Sequence, residues 1–99
     1  MKLLLLLYLE QDGPTVTKLL THQGIDAYSR VNIEGQGGEK AQGVFGGRAP
    51  HASKMIFAVV TDEQGGSLRQ ALRGAEVQDS NHPIHVAQLG LEAWESSEG

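Results

Sequence analysis

The sequence predicts one α+β domain in which a strand, a helix and a strand follow each other twice, in the order β-α-β-β-α-β. Two observations indicate this order. The unbroken apolar runs 3–9 and 55–60 are each followed by a helix-start signal and an amphipathic segment that ends at a glycine. Segments 25–34 and 84–91 alternate apolar and polar residues, as half-exposed strands do. A chain of 99 residues has room for only one such domain.

The first strand and the first helix are predicted from strong local signals. Residues 3–9 are apolar without alternation, which favours a strand that is buried on both faces. Asp12 as the N-cap and Pro14 as the first helical residue predict a helix over about 14–23. Gly24 is expected to end this helix.

A second strand over 25–34 leads into a glycine-rich loop. Ala27, Ser29 and Val31 are expected on one face of this strand, which leaves Tyr28 and Arg30 on the other. Six glycines fall between positions 35 and 47, and ordering so many glycines is entropically costly. Loops longer than about 12–15 residues are usually functional or disordered. We therefore expect a long, flexible loop at about 35–53.

The second half repeats the pattern of the first. Residues 55–60 form an apolar strand, and Thr61 or Asp62 is predicted to cap the helix that follows. Gly74 is expected to end that helix, and 84–91 is the fourth strand.

This order is that of the ferredoxin-like fold, a four-stranded antiparallel sheet with both helices on one face. The two apolar runs are expected at the sheet centre and the two alternating strands at its edges. The other face of the sheet then carries apolar side chains that a monomer leaves uncovered, so we expect a homo-oligomer. The chain has no cysteine, so disulfides cannot stabilise it.

Composition excludes several classes of function. The net charge is −4, whereas binding to a phosphate backbone needs a basic surface, so no nucleic acid partner is expected. The apolar run 3–9 lacks a signal-peptide cleavage site, and no run reaches the roughly 20 residues that span a bilayer. We therefore expect a cytoplasmic protein without membrane insertion.

Several motifs together resemble the PII signal-transduction proteins and their PII-like relatives. They are Met1-Lys2 before an apolar strand, Gly24-Ile25 after the first helix, and Thr61-Asp62-Glu63 at the start of the second. In addition, the run Glu-Gly-Gln-Gly-Gly-Glu-Lys over 34–40 is similar to that family's Lys-Gly-Phe-Gly-Arg-Gln-Lys at the base of its T-loop. The resemblance implies a trimer of ferredoxin-like domains, here residues 1–92, followed by an acidic tail, 93–99.

The resemblance also implies a ligand site. PII proteins hold ATP or ADP in clefts between subunits, so a small anionic effector is expected here, with an adenine nucleotide (ADP, AMP or ATP) as the candidate cofactor. Glycines allow backbone N–H groups to approach an anion, and a lysine adds positive charge. The ligand-binding residues implied in this way are Ser29, Gly35, Gln36, Gly37, Gly38, Glu39, Lys40, Asn81 and His82.

The chain departs from the family pattern at several of these positions. Gly38 stands where the family has arginine, Glu39 where it has glutamine, and 79–83 where it has a glycine-rich B-loop ending in lysine. The tail is acidic where the family is basic. Because arginine and lysine do most phosphate recognition, we expect a different or more weakly bound ligand than ATP.

The loop is expected to change its order on effector binding and to contact a protein partner, a transporter or an enzyme. Val44, Phe45 and Arg48 are the predicted partner contacts. Two alternatives stay open: an interaction module of the same fold without a small ligand, and a metal-binding trimer of the divalent-ion-tolerance type that uses His82 and His85.

The sequence assigns no catalytic residue and no metal ligand, so we do not expect an enzyme. Ser53 and Ser80 have histidines nearby in sequence but no nucleophile elbow or oxyanion motif. The pair Asp62-Glu63 is explained as the acidic start of a helix. Two histidines three residues apart on a strand face opposite sides, which disfavours one shared metal ion.

Overall fold

The computed structural model describes residues 1–33, 53–78 and 82–97 of the chain. Within these ranges the elements follow the predicted order β-α-β-β-α-β. They are β1 (Lys2–Leu9), α1 (Gly13–His22), β2 (Ser29–Ile33), β3 (Ser53–Val60), α2 (Asp62–Leu72) and β4 (His85–Gly90), with a 3-10 turn, Glu10–Asp12, between β1 and α1.

The four strands form one antiparallel sheet in the order β2-β3-β1-β4. The prediction that the two apolar runs occupy the centre is therefore confirmed. Residues directly opposite each other share a face, and Leu5 lies opposite both Phe57 and Ala87. Ser29 is in turn opposite Phe57, so this row crosses the whole sheet.

Both helices pack on one face of the sheet, here called the helix face, and the opposite face is called the open face. The core consists of alternate residues of β1 and β3 together with one side of each helix. Its most buried members are Leu4, Leu6, Tyr8, Ile56, Ala58 and Val60 from the strands, Val16 and Leu20 from α1, and Leu68 from α2.

The open face of β1 differs from the expectation that this strand is buried on both sides. Leu3, Leu5 and Leu7 alternate with the core residues and are half-buried in the single chain. Phe57 and Leu89, which share their face, are exposed by 37% and 47%. Within residues 1–33, 53–78 and 82–97, the elements that cover the sheet are the two helices, and both lie on the helix face.

The predicted cap of α2 is confirmed. The Thr61 hydroxyl accepts a hydrogen bond from the Gln64 N–H, and the Gln64 side chain accepts one from the Thr61 N–H, both at 3.0 Å. This reciprocal pair is a capping box, which satisfies two N–H groups that a helix start otherwise leaves unpaired.

The predicted cap of α1 is confirmed in position but not in its hydrogen bond. Asp12 is the N-cap residue, but its side chain makes no cap hydrogen bond, and the helix begins at Gly13, one residue before Pro14. The Asp12 carboxylate is buried and instead accepts a hydrogen bond from the backbone N–H of Gln78 at 2.9 Å. A long-range contact has therefore replaced the local one.

The strand bounds also need correction. Gly24 ends α1 with φ of +70°, and the Ile25 N–H then donates to the Leu20 carbonyl at 2.9 Å. Ile25 is buried in the core, so residues 25–28 form a connection and β2 begins only at Ser29. Ser53, the expected last loop residue, already belongs to β3.

Candidate ligand site at the edge of the open face

The structure describes two of the nine predicted ligand-binding residues, Ser29 and His82. The other seven lie outside the described residues: Gly35, Gln36, Gly37, Gly38, Glu39, Lys40 and Asn81. The predicted partner contacts Val44, Phe45 and Arg48 lie outside them as well.

Ser29 lines a cavity of about 440 Å³ at the β2 edge of the sheet, which we call the Ser29 cavity. Three parts of the chain meet there: its first residue, the β2 and β3 strands, and the segment after β4. The other lining residues are Met1, Ala27, Tyr28, Phe57, Ala58, Val59 and Trp94.

The lining suits a planar, largely apolar group. Phe57 and Trp94 offer aromatic surface and are exposed by 37% and 61%. The Ser29 hydroxyl can donate and accept hydrogen bonds, so it can orient a heterocycle. None of the side chains that line the cavity in the described part of the chain is charged at neutral pH, and the Met1 ammonium is 3.3 Å from the Asp62 carboxylate.

The cavity continues into the apolar surface of the open face. The large hydrophobic side chains that are exposed in the described ranges all lie on this face or line the cavity. They are Met1, Val31, Phe57, Leu89 and Trp94. Exposed apolar side chains gathered on one surface mark an interaction site, whereas scattered ones do not.

His82 does not line the Ser29 cavity, so the structure does not bring these two predicted residues together there. His82 is half-buried in the connection before β4, and His85 is the first residue of β4, opposite Leu7 on the open face. Among the described residues, no group of three or more histidine, aspartate or glutamate side chains is arranged to hold a metal ion.

Three solved structures of similar fold cover most of this chain. Apo CPII, a nitrogen regulatory PII-like protein from Thiomonas intermedia K12, has a TM-score of 0.64 and 19% identity, over 89% of this chain and 87% of CPII. CPII bound to ADP, AMP and bicarbonate has a TM-score of 0.60 and 24% identity, over 90% and 93%. A PII-like signalling protein from Thermus thermophilus has a TM-score of 0.58 and 14% identity, over 89% and 84%.

The chain has a PII-like fold. No protein-family model matches the sequence, and no curated protein matches it at a significant level. The likeness is therefore one of structure, and it agrees with the fold that the strand and helix pattern predicts.

In this PII-like fold, two aromatic residues of the cavity, Phe57 and Trp94, are not among the predicted ligand-binding residues. The sequence pattern predicts Phe57 as part of an apolar strand, and strand pairing sets it opposite Ser29. Trp94 belongs to the segment predicted as an acidic tail, 93–99, and it lines the cavity with Phe57. No sequence pattern marks either residue, because their exposure and their position beside Ser29 depend on strand pairing. None of the described helices is long and apolar enough to span a bilayer.

Proposed function

We propose that this chain is a divergent PII-like regulatory protein that binds a small anionic effector in clefts between subunits and signals through the segment at about 35–53. The observation that carries the proposal is the Ser29 cavity, which lies beside an uncovered apolar sheet face. The fold is shared with CPII, which has been solved with ADP, AMP and bicarbonate bound. The same likeness favours a regulator over an enzyme.

Association through the open face completes the proposed site. Leu5 lies in the middle of this face, between Phe57 and Ala87, and all three would be covered in a homotrimer. Covering them removes apolar surface from water at roughly 25 cal/mol per Å². Because the Ser29 cavity adjoins this face, a neighbouring subunit would form one wall of the effector site.

The trimer can be tested with one charge placed at the centre of the face. Leu5→Glu should dissociate the assembly, whereas Gln70→Glu, on the exposed side of α2, should leave it intact. Light scattering after gel filtration should give three times the chain mass for the parent and for Gln70→Glu. A parent protein that is monomeric at micromolar concentration would contradict the proposed assembly.

In the proposed complex an adenine ring lies against Phe57 and Trp94, and the Ser29 hydroxyl bonds to its edge. The described side chains of the cavity supply no positive charge, and the Met1 ammonium is paired with the Asp62 carboxylate, so other residues must bind the phosphate groups. Backbone N–H groups at Gly35 to Gly38 and the Lys40 ammonium are the proposed partners. Binding there would change the order of the segment at 35–53, which a transporter or an enzyme would recognise.

Trp94 provides a direct assay because the chain has one tryptophan. Nucleotide stacking on this side chain should change its fluorescence, so ADP, AMP, ATP and cyclic nucleotides can be titrated, each with and without bicarbonate. We expect Ser29→Ala to weaken binding by about tenfold, as the loss of one hydrogen bond of about 1.4 kcal/mol would do. Ser67→Ala, which lies in α2 away from the cavity, is the matched control.

Calorimetry with the same ligands distinguishes an effector-binding regulator from an interaction module that binds no small ligand. A trimer that gives neither heat nor a fluorescence change with any of them would exclude the effector site. That result would favour an interaction module of the same fold.

A further inference from the structure

A second cleft, of about 490 Å³, lies on the helix face between α1 and strands β2 and β3. Arg30 and Asn32 of β2 are exposed on this face, so the helices do not cover the sheet edge there. The lining residues are Tyr8, Glu10, Gly13, Pro14, Thr17, Lys18, Thr21, His22, Arg30 and Lys54, and none of them lines the Ser29 cavity. We call this feature the cationic cleft.

Positive charge is concentrated in this cleft. Lys18 of α1, Arg30 of β2 and Lys54 of β3 all line it. They are three of only eight lysine and arginine residues in a chain whose net charge is −4. Among the described residues of the lining, Glu10 is the one acidic side chain. Three cations from three separate elements, in an acidic protein, make a local field that attracts anions.

The cleft also has hydrogen-bond donors besides its two lysines. The Arg30 guanidinium has five N–H donors and lies near the Tyr8 hydroxyl, whose oxygen can accept at most two of them. Burial raises the pKa of Tyr8, against the lowering effect of Arg30, so the hydroxyl keeps its proton at neutral pH. The Thr17 and Thr21 hydroxyls line the opposite wall on α1.

The ion pair between Glu10 and Lys54 is one that an external anion can displace. The Lys54 ammonium donates to the Asn32 side-chain oxygen and lies 3.7 Å from a Glu10 carboxylate oxygen. The Glu10 side chain is 63% exposed, and ion pairs of this kind contribute little to stability. An external oxyanion with better geometry can therefore replace the carboxylate at Lys54.

We propose that the cationic cleft binds the phosphate group of a small phosphorylated metabolite, in competition with the Glu10 carboxylate. A phosphate monoester carries close to two negative charges at neutral pH, and its oxygens accept charge-assisted hydrogen bonds from Lys18, Arg30 and Lys54. This site lies on the helix face, whereas the proposed effector site lies at the edge of the open face. An experiment that excludes one of the two proposed sites therefore does not exclude the other.

The test uses inorganic phosphate and glycerol 3-phosphate as probes, with the full chain labelled with nitrogen-15. Titration should shift the backbone amide signals of Lys18, Arg30 and Lys54 and leave those of Phe57 and Val59 in place. Lys18→Gln should weaken binding by about fivefold, since one nearby charge pair contributes about 1 kcal/mol in water. The Lys18 side chain is exposed on α1, so this variant should fold.

Glu10→Gln should change the phosphate affinity in the opposite direction to Lys18→Gln. This difference distinguishes a phosphate site from a purely structural role of these residues. Removing the competing carboxylate should tighten phosphate binding by about fivefold. Arg73→Gln and Glu76→Gln make the same changes in net charge at exposed positions outside the cleft, and they should change affinity less than about twofold.

The proposal would be overturned by the absence of an amide shift in the cleft, by equal effects of Lys18→Gln and Arg73→Gln, or by unchanged affinity in Glu10→Gln. A loss of phosphate binding in Ser29→Ala would also overturn it, because the anion would then occupy the Ser29 cavity.

Discussion

Two neighbouring glycines in α2, Gly65 and Gly66, should respond in different ways to the same substitution. A Cβ atom at Gly65 would lie 2.6 Å from the Gln88 side-chain oxygen of β4, which is too close for contact. A Cβ at Gly66 would meet nothing closer than the Arg69 side chain, at 3.8 Å. The helix therefore approaches the sheet through Gly65 and not through Gly66.

These distances predict different changes in the free energy of unfolding for the two glycines. Replacing glycine by alanine inside a helix gains about 1 kcal/mol of stability, because alanine loses less backbone entropy. Gly66→Ala should show this gain. In Gly65→Ala the Gln88 oxygen must move away and lose its 2.9 Å hydrogen bond from Arg69, which costs about 0.5–1.5 kcal/mol. The two effects nearly cancel, so we expect little net change.

Urea unfolding at a fixed protein concentration measures these differences. In a Gln88→Ala background the obstacle is gone, so Gly65→Ala should recover most of the gain of about 1 kcal/mol. Equal stabilisation by Gly65→Ala and Gly66→Ala, or no coupling between positions 65 and 88, would refute the argument that the Gln88 side chain requires glycine there.

Three further predictions concern stability. Asp12→Ala removes the acceptor of the Gln78 N–H and should lower the free energy of unfolding by about 1–2 kcal/mol. Calorimetry should then show a Tm that is lower by about 5–10 °C, and an unchanged Tm would contradict this prediction. Thr61→Ala breaks the capping box and should cost about 1 kcal/mol in urea unfolding, and full stability in this variant would contradict the cap. Burial raises the pKa of Tyr8 in the folded state, so the folded chain holds this proton more tightly than the unfolded chain. The stabilisation from the protonated Tyr8 hydroxyl is complete below about pH 10 and falls as the pH rises further. Tyr8→Phe should therefore lose less stability than the parent at alkaline pH. Equal losses in the parent and in Tyr8→Phe would contradict it.

The elements with local signals were predicted well from the sequence. An unbroken apolar run indicates a strand at the centre of a sheet, so the central positions of β1 and β3 could be predicted from the sequence. Thr61 and Gln64 lie within one helical turn, and Gly24 adopts its positive φ beside the helix that it ends. Each of these features depends on residues close to it in the chain.

Predictions failed where a distant residue competed with a local one. Asp12 has the sequence position of a helix cap, but its carboxylate bonds to Gln78, 66 residues away. Ile25 fits an alternating strand, but its burial in the core delays the start of β2. A local pattern of caps and alternating residues does not indicate which long-range contact will replace a local one.

The types and order of the elements, the acidic charge and the apolar surplus on one strand face follow from the amino-acid sequence. Which residues share a cavity depends on the tertiary fold. Ser29, Phe57 and Trp94 come from three separate segments, as do Lys18, Arg30 and Lys54. Antiparallel pairing and the packing of α1 bring them together, because the register between strands depends on contacts across the whole sheet.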